Sequence, residues 1–326
     1  MTRLYLFKSG TLKRKDNTLV FEYLDGDETK KRYFPVENIC DIYLFGQINI
    51  NTSLLNFLSQ KGIVVHYFNY HGFYSGSILP KKRNVSGYLV VNQVKHYLIP
   101  ENRLFLASSF VVGASFHIAR NLRKRGISTD YIEELLSDIY SHKDIPSLMN
   151  TEGRIREFYY NRFPNILRDD FFRMIKREKR PPSNAINALI SYGNSLMYSV
   201  VLSEIYKTQL DPTISYLHEP STSRFSLSLD ISEIFKPLIV DSIIFSLVNK
   251  NILRKKDFDI DLNYTYLSES GRKKFLKAFD EKLNSTIKHR SLKRNVSYRY
   301  LIRLECYKLI KHLSGDKVYT PLKAWW

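Results

Sequence analysis

The chain has 326 residues, 44% hydrophobic and 25% charged, the make-up of a folded protein with room for two cores. Fifty lysines and arginines face 32 acids, a formal charge of +18, which exceeds what solubility asks and suits a polyanion, nucleic acid before an anionic membrane surface. Two lone cysteines, Cys40 and Cys306, argue against a thiolate zinc site or a disulfide framework; with no apolar run near the roughly 20 residues of a membrane span and no signal core at the start, a cytoplasmic protein without a membrane partner is expected.

The first eighty residues read as strands. TLVFEYL alternates, DGDE turns, and KKRYFPVE resumes. ICDIYLFG, IVVHYFNY and FYSGSILP follow, rich in β-branched and aromatic residues. Between them NTSLLNFLSQKG spells a short helix, with Asn51 or Thr52 as its cap and Gly62 as its stop. PKKRNVSG, polar and basic with both Pro and Gly, marks a boundary.

Beyond it the apolar period becomes helical. NRLFLASSFVVGASFHIARNLRKRG ends in basic residues before Gly126, and TDYIEELLSDIYSH follows behind a Thr129 or Asp130 cap. SLMNTEGRIREFYYNRFPNIL, the long apolar SNAINALISYGNSLMYSVVLSEIYKTQ, ISEIFKPLIVDSIIFSLVNK and RYLIRLECYKLIKHL continue the series. The expected fold is α+β: a β-rich domain over residues 1–80, a linker at 81–87, and a larger all-helical domain over 88–326. Basic runs concentrate in the helical part, and RMIKREKRPP (173–182) reads as a mobile basic loop that either is simply solvated or contacts DNA. Tyrosine is frequent, 23 residues, and interleaved Tyr and Arg/Lys can stack on bases while neutralising phosphates.

Three stretches carry candidate chemistry. DPTISYLHEP places His218 in a polar loop. Asp230 and Glu233, three apart, share one face of a helix expected to start near Asp230 and to stop at Lys236-Pro237. Glu152 stands beside Gly153 and four residues before Arg156. Each has a plainer explanation: a backbone-bonded loop histidine, an acid favoured at a helix N-terminus, and an exposed Glu–Arg pair worth about 0.2–0.5 kcal/mol. Gly153 weighs against the last, because mid-helix glycine costs nearly 1 kcal/mol against alanine and lets a backbone or ligand come close. Two carboxylates with an imidazole make a hard divalent site for Mg²⁺ or Mn²⁺, suited to phosphodiester chemistry beside a basic surface.

At these residues the chain resembles the CRISPR-associated integrase of spacer acquisition, the first and most widespread of the CRISPR-associated proteins. Thr151-Glu152-Gly153 with Arg156 and Tyr159-Tyr160 is similar to the family's Glu-Gly helix, and Asn187-Ala188-Leu189 through Tyr192-Gly193 to its Asn-Ala-Leu-x-x-Tyr-Gly segment. Leu210-Asp211-Pro212 with Leu217-His218-Glu219-Pro220 resembles its histidine loop, and Phe225 through Glu233 with Phe235-Lys236-Pro237 and Asp241 its second acidic helix. Asn194 and Ser191 depart from the family pattern without touching the proposed ligands. The resemblance implies that Glu152, His218 and Glu233 bind the metal, with Asp230 a nearby catalytic acid that orients the site. It implies metal-dependent DNA strand transfer: 3′-hydroxyl ends of a short fragment are joined into a CRISPR array, and branched DNA is cleaved by the reverse chemistry. It also implies a homodimer joined through the β domain and bridged by the small second CRISPR-associated protein. Arg156, Tyr159, Tyr192, Arg224, Arg173, Lys176 and Arg177 are the candidates for contacting DNA. The alternatives are a non-catalytic nucleic-acid-binding scaffold, which charge and tyrosines would serve equally, and a hydrolase of small phosphoesters.

Overall fold

Short polar turns set the strand register at the start of the chain. The computed structural model describes residues 2–81, 84–178, 181–220, 222, 224–261 and 264–326. It divides into two units, Met1–Arg83 and Asn84–Trp326. Parts of the expected linker (Lys82, Arg83) and of the basic loop (Lys179, Arg180) lie outside the described residues.

The first unit holds β1 (Thr2–Leu6), β2 (Gly10–Lys15), β3 (Thr18–Asp25), β4 (Glu28–Pro35), β5 (Ile39–Leu44), β6 (Ile48–Asn49), α1 (Thr52–Lys61), β7 (Val64–Phe68) and β8 (Tyr74–Ile78). Lys15 pairs with Thr18, so Asp16-Asn17 is a two-residue hairpin loop, and Asp16 takes the left-handed φ of 52° that such loops need. Two four-stranded sheets result, in the orders β4-β3-β2-β6 and β1-β5-β7-β8. Leu12, Leu19 and Phe21 of one pack with Ile42, Leu44 and Val65 of the other, and with Leu54 and Leu58 of α1. Asn51 caps α1 by accepting from the Leu54 amide at 2.9 Å, and Gly62 ends it at φ 71°. Edge strand β4 is exposed along most of its length and carries Lys30, Lys31 and Arg32, charges that discourage further strand pairing.

The second unit is mostly helical: α2 (Gly87–Leu98), α3 (Pro100–Arg123), α4 (Asp130–Ser137), α5 (Ile145–Tyr160), α6 (Phe163–Ile166), α7 (Ala185–Tyr206), α8 (Ser226–Phe235), α9 (Ser242–Asn249), α10 (Glu269–Asn284) and α11 (Tyr298–Leu313). Helix α8 packs between α3 and α7. Helix α7 is apolar and long enough to cross a membrane, but 83% of its apolar window is buried among its neighbours, which makes it a core helix. Its Gly193 is tightly packed: a Cβ would lie 2.4 Å from Val240 Cγ1 and 2.9 Å from Phe275 Cζ, so a larger residue there must displace those side chains.

Several boundaries differ from the sequence reading. Helices α2 and α10 were not assigned, and α2 shows why: Tyr88, Val91 and Leu98 are exposed, so its apolar period does not mark one buried face. Two three-residue ribbons, β9 (Phe258–Ile260) with β10 (Thr265–Leu267) and β11 (Thr286–Lys288) with β12 (Asn295–Ser297), punctuate the helices and are too short to show a period-2 pattern. Pro237 does not stop its helix. Residues Lys236–Asp241 form a π-helical turn that carries the chain from α8 into α9. Asn121 fills the carbonyl of Pro237 at 2.8 Å, one backbone group such a turn leaves to be satisfied.

One buried ion cluster ties α7 to α11. Glu204 accepts from Arg299 Nε at 2.5 Å, Arg303 Nε at 2.7 Å and Lys207 Nζ at 3.3 Å. Burial pushes its carboxyl up, but Lys207, Arg299 and Arg303 outweigh that and hold it at about 2. A folded pKa below the ordinary 4.5 means full stabilisation above about pH 4.5 and loss as pH falls toward 2. Glu204→Gln leaves cations facing a neutral amide in the core and is expected to cost about 3 kcal/mol at pH 7. Urea unfolding at pH 7 and pH 3 should show a smaller penalty at the lower pH; equal penalties would contradict the ionised cluster.

Candidate active site

The histidine loop is clamped before it does anything. Gln93 of α2 exchanges two hydrogen bonds with the Asp211 backbone (2.8 and 3.1 Å), the Leu227 amide donates to Pro212 O at 3.0 Å, and Ser226 Oγ donates to Thr213 O at 2.7 Å. Arg103 of α3 donates to Tyr216 O at 3.0 Å and pairs with Glu219 at 2.5 Å. The central fastening is Asp230. Its Oδ2 accepts the Tyr216 and Leu217 amides at 2.7 and 3.0 Å; its Oδ1 accepts the His218 amide at 2.9 Å and lies 2.8 Å from His218 Nδ1. Asp230 is therefore no N-cap: α8 starts four residues earlier, and this fully buried carboxylate serves the neighbouring loop instead. A carboxylate that is ionised only accepts, so Nδ1 carries the proton and Nε2 is left for the cavity that His218 lines.

That cavity, about 480 Å³, is also lined by Glu152 and Gly153 of α5 and by Glu233 of α8. A Cβ on Gly153 would meet no atom within 4 Å, so no close approach among the described residues calls for glycine there. Arg156 Nε donates to Glu152 Oε1 at 2.8 Å, and its Nη2 donates to Glu233 Oε2. Lys236 Nζ holds the other Glu233 oxygen at 2.5 Å. Burial raises the Glu233 carboxyl, yet Lys236, Arg156 and His218 prevail and keep it at about 2. Arg156 is disfavoured as a cation by burial, and Glu233 and Glu152 more than restore it, well above its ordinary value. Behind the pair, burial pushes Asp241 up to about 6 against the pull of Arg156 and the Tyr159 hydroxyl.

The DNA-contact candidates separate. Tyr159 and Tyr192 are buried core residues and cannot stack on a base, which corrects that expectation. Tyr159 instead accepts from Asn121 at 3.0 Å, and Tyr192 packs edge-on against Phe275. Arg156 is committed to carboxylates and is not a surface contact. Arg177 is pinned at 3.0 Å to Asn187 Oδ1 and at 3.0 Å to Ser191 Oγ, so the Asn-Ala-Leu segment organises the basic loop. Arg173, Lys176 and Arg224 are exposed; Lys176 lines the cavity. Lys236 and the apolar rim residues Met149 and Ile175 were not selected from the sequence, because nothing in their spacing sets them apart.

The three expected donors thus share a cavity. Among the described residues no three acid, thiol or imidazole groups are gathered closely enough to hold an ion as placed. Glu152 and Glu233 are spanned by Arg156. The donor chemistry nevertheless fits Mg²⁺ or Mn²⁺: two carboxylates plus an imidazole whose outer nitrogen is fixed by a buried acid.

The family model for CRISPR associated protein Cas1 matches residues 4–281. CRISPR-associated endonuclease Cas1 3 of Thermodesulfovibrio yellowstonii is 55% identical over 329 residues, covering 100% of both chains. The solved Cas1 protein of Thermotoga maritima superposes with a TM-score of 0.90 at 41% identity, covering 98% of this chain and 99% of that one. A casposase bound to integration product shares the fold alone, with a TM-score of 0.88 at 23% identity over 100% of this chain and 94% of the other. With the histidine loop, the Glu-Gly helix and the second acidic helix meeting at one cavity, and a family match across most of its length, this chain belongs to the Cas1 family of CRISPR-associated proteins.

Proposed function

We propose that this protein is a divalent-metal-dependent DNA endonuclease and strand-transfer enzyme that joins short DNA fragments, through their 3′-hydroxyl ends, into a CRISPR array. The observation that carries the reading is the convergence of Glu152, His218 and Glu233 on one cavity, with the imidazole held by buried Asp230. Helix α5 would contribute Glu152 and helix α8 Glu233, and His218 would ligate through Nε2. A bound divalent ion supplies Lewis-acid polarisation of a phosphate oxygen and charge neutralisation as the phosphate is attacked.

This chain's residues do the rest. Asp230 keeps the imidazole in one tautomer and one orientation. Lys176 at the rim, and the general excess of cations, draw the DNA backbone in. The attacking group is the 3′ hydroxyl of one strand: its oxygen bonds to phosphorus as the bond to the leaving 3′ oxygen breaks. One phosphodiester replaces another, so no side chain needs to be esterified and no external energy source is required. Run backwards the same step resolves a branch; with water in place of the hydroxyl it hydrolyses. A homodimer bridged by the small second CRISPR-associated protein would hold two such sites on one fragment.

A non-catalytic scaffold fits less well, since it has no use for an imidazole held by a buried acid on the wall of a cavity that two further carboxylates line. His218→Ala and Glu233→Gln are expected to lower Mn²⁺-dependent nicking of branched DNA by at least about 1,000-fold while leaving metal-free DNA affinity within about threefold. Wild-type turnover in either variant would refute the site assignment. Asp230→Asn sets an amide against backbone donors; it should cost about 2 kcal/mol of stability and about 10–100-fold in Mn²⁺ affinity. Unchanged affinity by calorimetry would remove Asp230 from the positioning role.

A further inference from the structure

The cavity that should take a divalent ion already has a cation between its two carboxylates, and that cation belongs to the chain. The Nε and Nη2 groups of one arginine form one edge of its planar fork. Through that edge Arg156 reaches Glu152 Oε1 on its own helix and Glu233 Oε2 on α8. One guanidinium edge therefore bridges two acids 81 positions apart in sequence, 152 and 233. Such a bridge fixes geometry as well as charge, because a planar fork holds both oxygens in one plane. Lys236 takes the remaining Glu233 oxygen from the other side. The Arg156 and Glu233 side chains are largely withdrawn from solvent, with 12% and 10% of their surfaces exposed, so neither charge is left to water.

Those bridged oxygens belong to the two carboxylates that the proposed function assigns to the metal. An ion that takes both bridged oxygens cannot do so while Arg156 keeps both of its bonds; the two modes compete for the same lone pairs. Without either cation, two carboxylates would face each other in a poorly solvated place and repel. The geometry points to Arg156 as an internal counter-cation that keeps Glu152 and Glu233 assembled until a divalent ion displaces it. This rests on reading the cavity as a metal site. It makes Arg156 a positioning residue whose guanidinium is exchanged for the ion, and it accounts for an arginine at the centre of the site rather than on the DNA-facing rim.

The test is equilibrium Mn²⁺ binding by paramagnetic resonance or calorimetry on the full chain, without DNA, alongside thermal melts with and without Mn²⁺. Arg156→Met keeps the stem and removes the competitor. The expected result is Mn²⁺ affinity about tenfold tighter than wild type, a lower metal-free Tm, and a larger rise in Tm on adding Mn²⁺. Arg156→Lys keeps a charge that can reach only one carboxylate at a time, and should tighten binding by a smaller factor; it carries the test if the Met variant folds poorly. Unchanged or weaker affinity in both variants would overturn the exchange and leave Arg156 as a fixed ion-pair bridge between the two helices. Glu233→Gln separates the two levels of inference. If wild type binds Mn²⁺, Glu233→Gln does not, and the arginine variants fail to tighten, the counter-cation idea fails alone. If wild type binds no Mn²⁺, both ideas fall together.

Discussion

One buried carboxylate organises the site. Asp230 sits inside α8 with no exposed surface, and it receives three consecutive backbone amides and an imidazole from a loop that precedes it by about a dozen residues. An ionised carboxylate in that position would be costly without donors; four of them take the place of water. The same bonds give the loop a conformation that its polar sequence, rich in residues suited to turns, would not hold alone. The position of His218 is therefore set by the helices around the loop, α8 through Asp230 first, with Gln93 of α2 and Arg103 of α3 beside it. Helix α8 in turn is fixed by packing between α3 and α7.

A second constraint is charge. The chain carries +18, yet the cavity walls include Glu152 and Glu233. Each has a cation placed on the same or an adjacent turn: Arg156 one turn after Glu152, and Lys236 three residues after Glu233, whose carboxyl Lys236 and Arg156 hold low. On a surface, i,i+4 and i,i+3 pairs of this sort contribute a few tenths of a kcal/mol. Here one arginine serves acids on two helices with little water to screen it, so the same local spacing acquires a tertiary role.

Much of this architecture was legible and some was not. The switch from period 2 to helical period near residue 85, the Asn51 cap and the Gly62 stop follow from local chemistry that the fold leaves undisturbed. The three site stretches could be named together because their residues resemble the motifs of one family; spacing alone left each with a plainer explanation. What could not be read was which polar group pairs with which. Tyr159 and Tyr192 look like stacking residues when listed among arginines, but the neighbours that bury them come from distant segments. The exposed i,i+4 interpretation of Glu152 and Arg156 missed for the same reason: Glu233, the partner that changes its meaning, is 77 residues beyond Arg156.

Pro237 shows how a local rule gives way to a tertiary requirement. Proline inside a helix removes an amide and clashes with the preceding turn, which argues for a break after Phe235. A turn closed by i→i+5 bonds widens the helix and relieves both problems, at the cost of carbonyls that need other partners. Asn121 supplies one, and its amide also reaches Tyr159, which in turn is held against Asp241 at the turn's far end. The widened turn changes which side chains share a face. Residues 236 and 241, five apart, would point well away from each other on an α-helix, whereas the π turn brings them nearly into line. Lys236 reaches Glu233 three residues back in α8, and Asp241 feels the charge of Arg156. The unbroken helix carries Asp241, its carboxyl raised by burial to about 6, within electrostatic reach of Arg156 and Lys236, the two cations that hold Glu233.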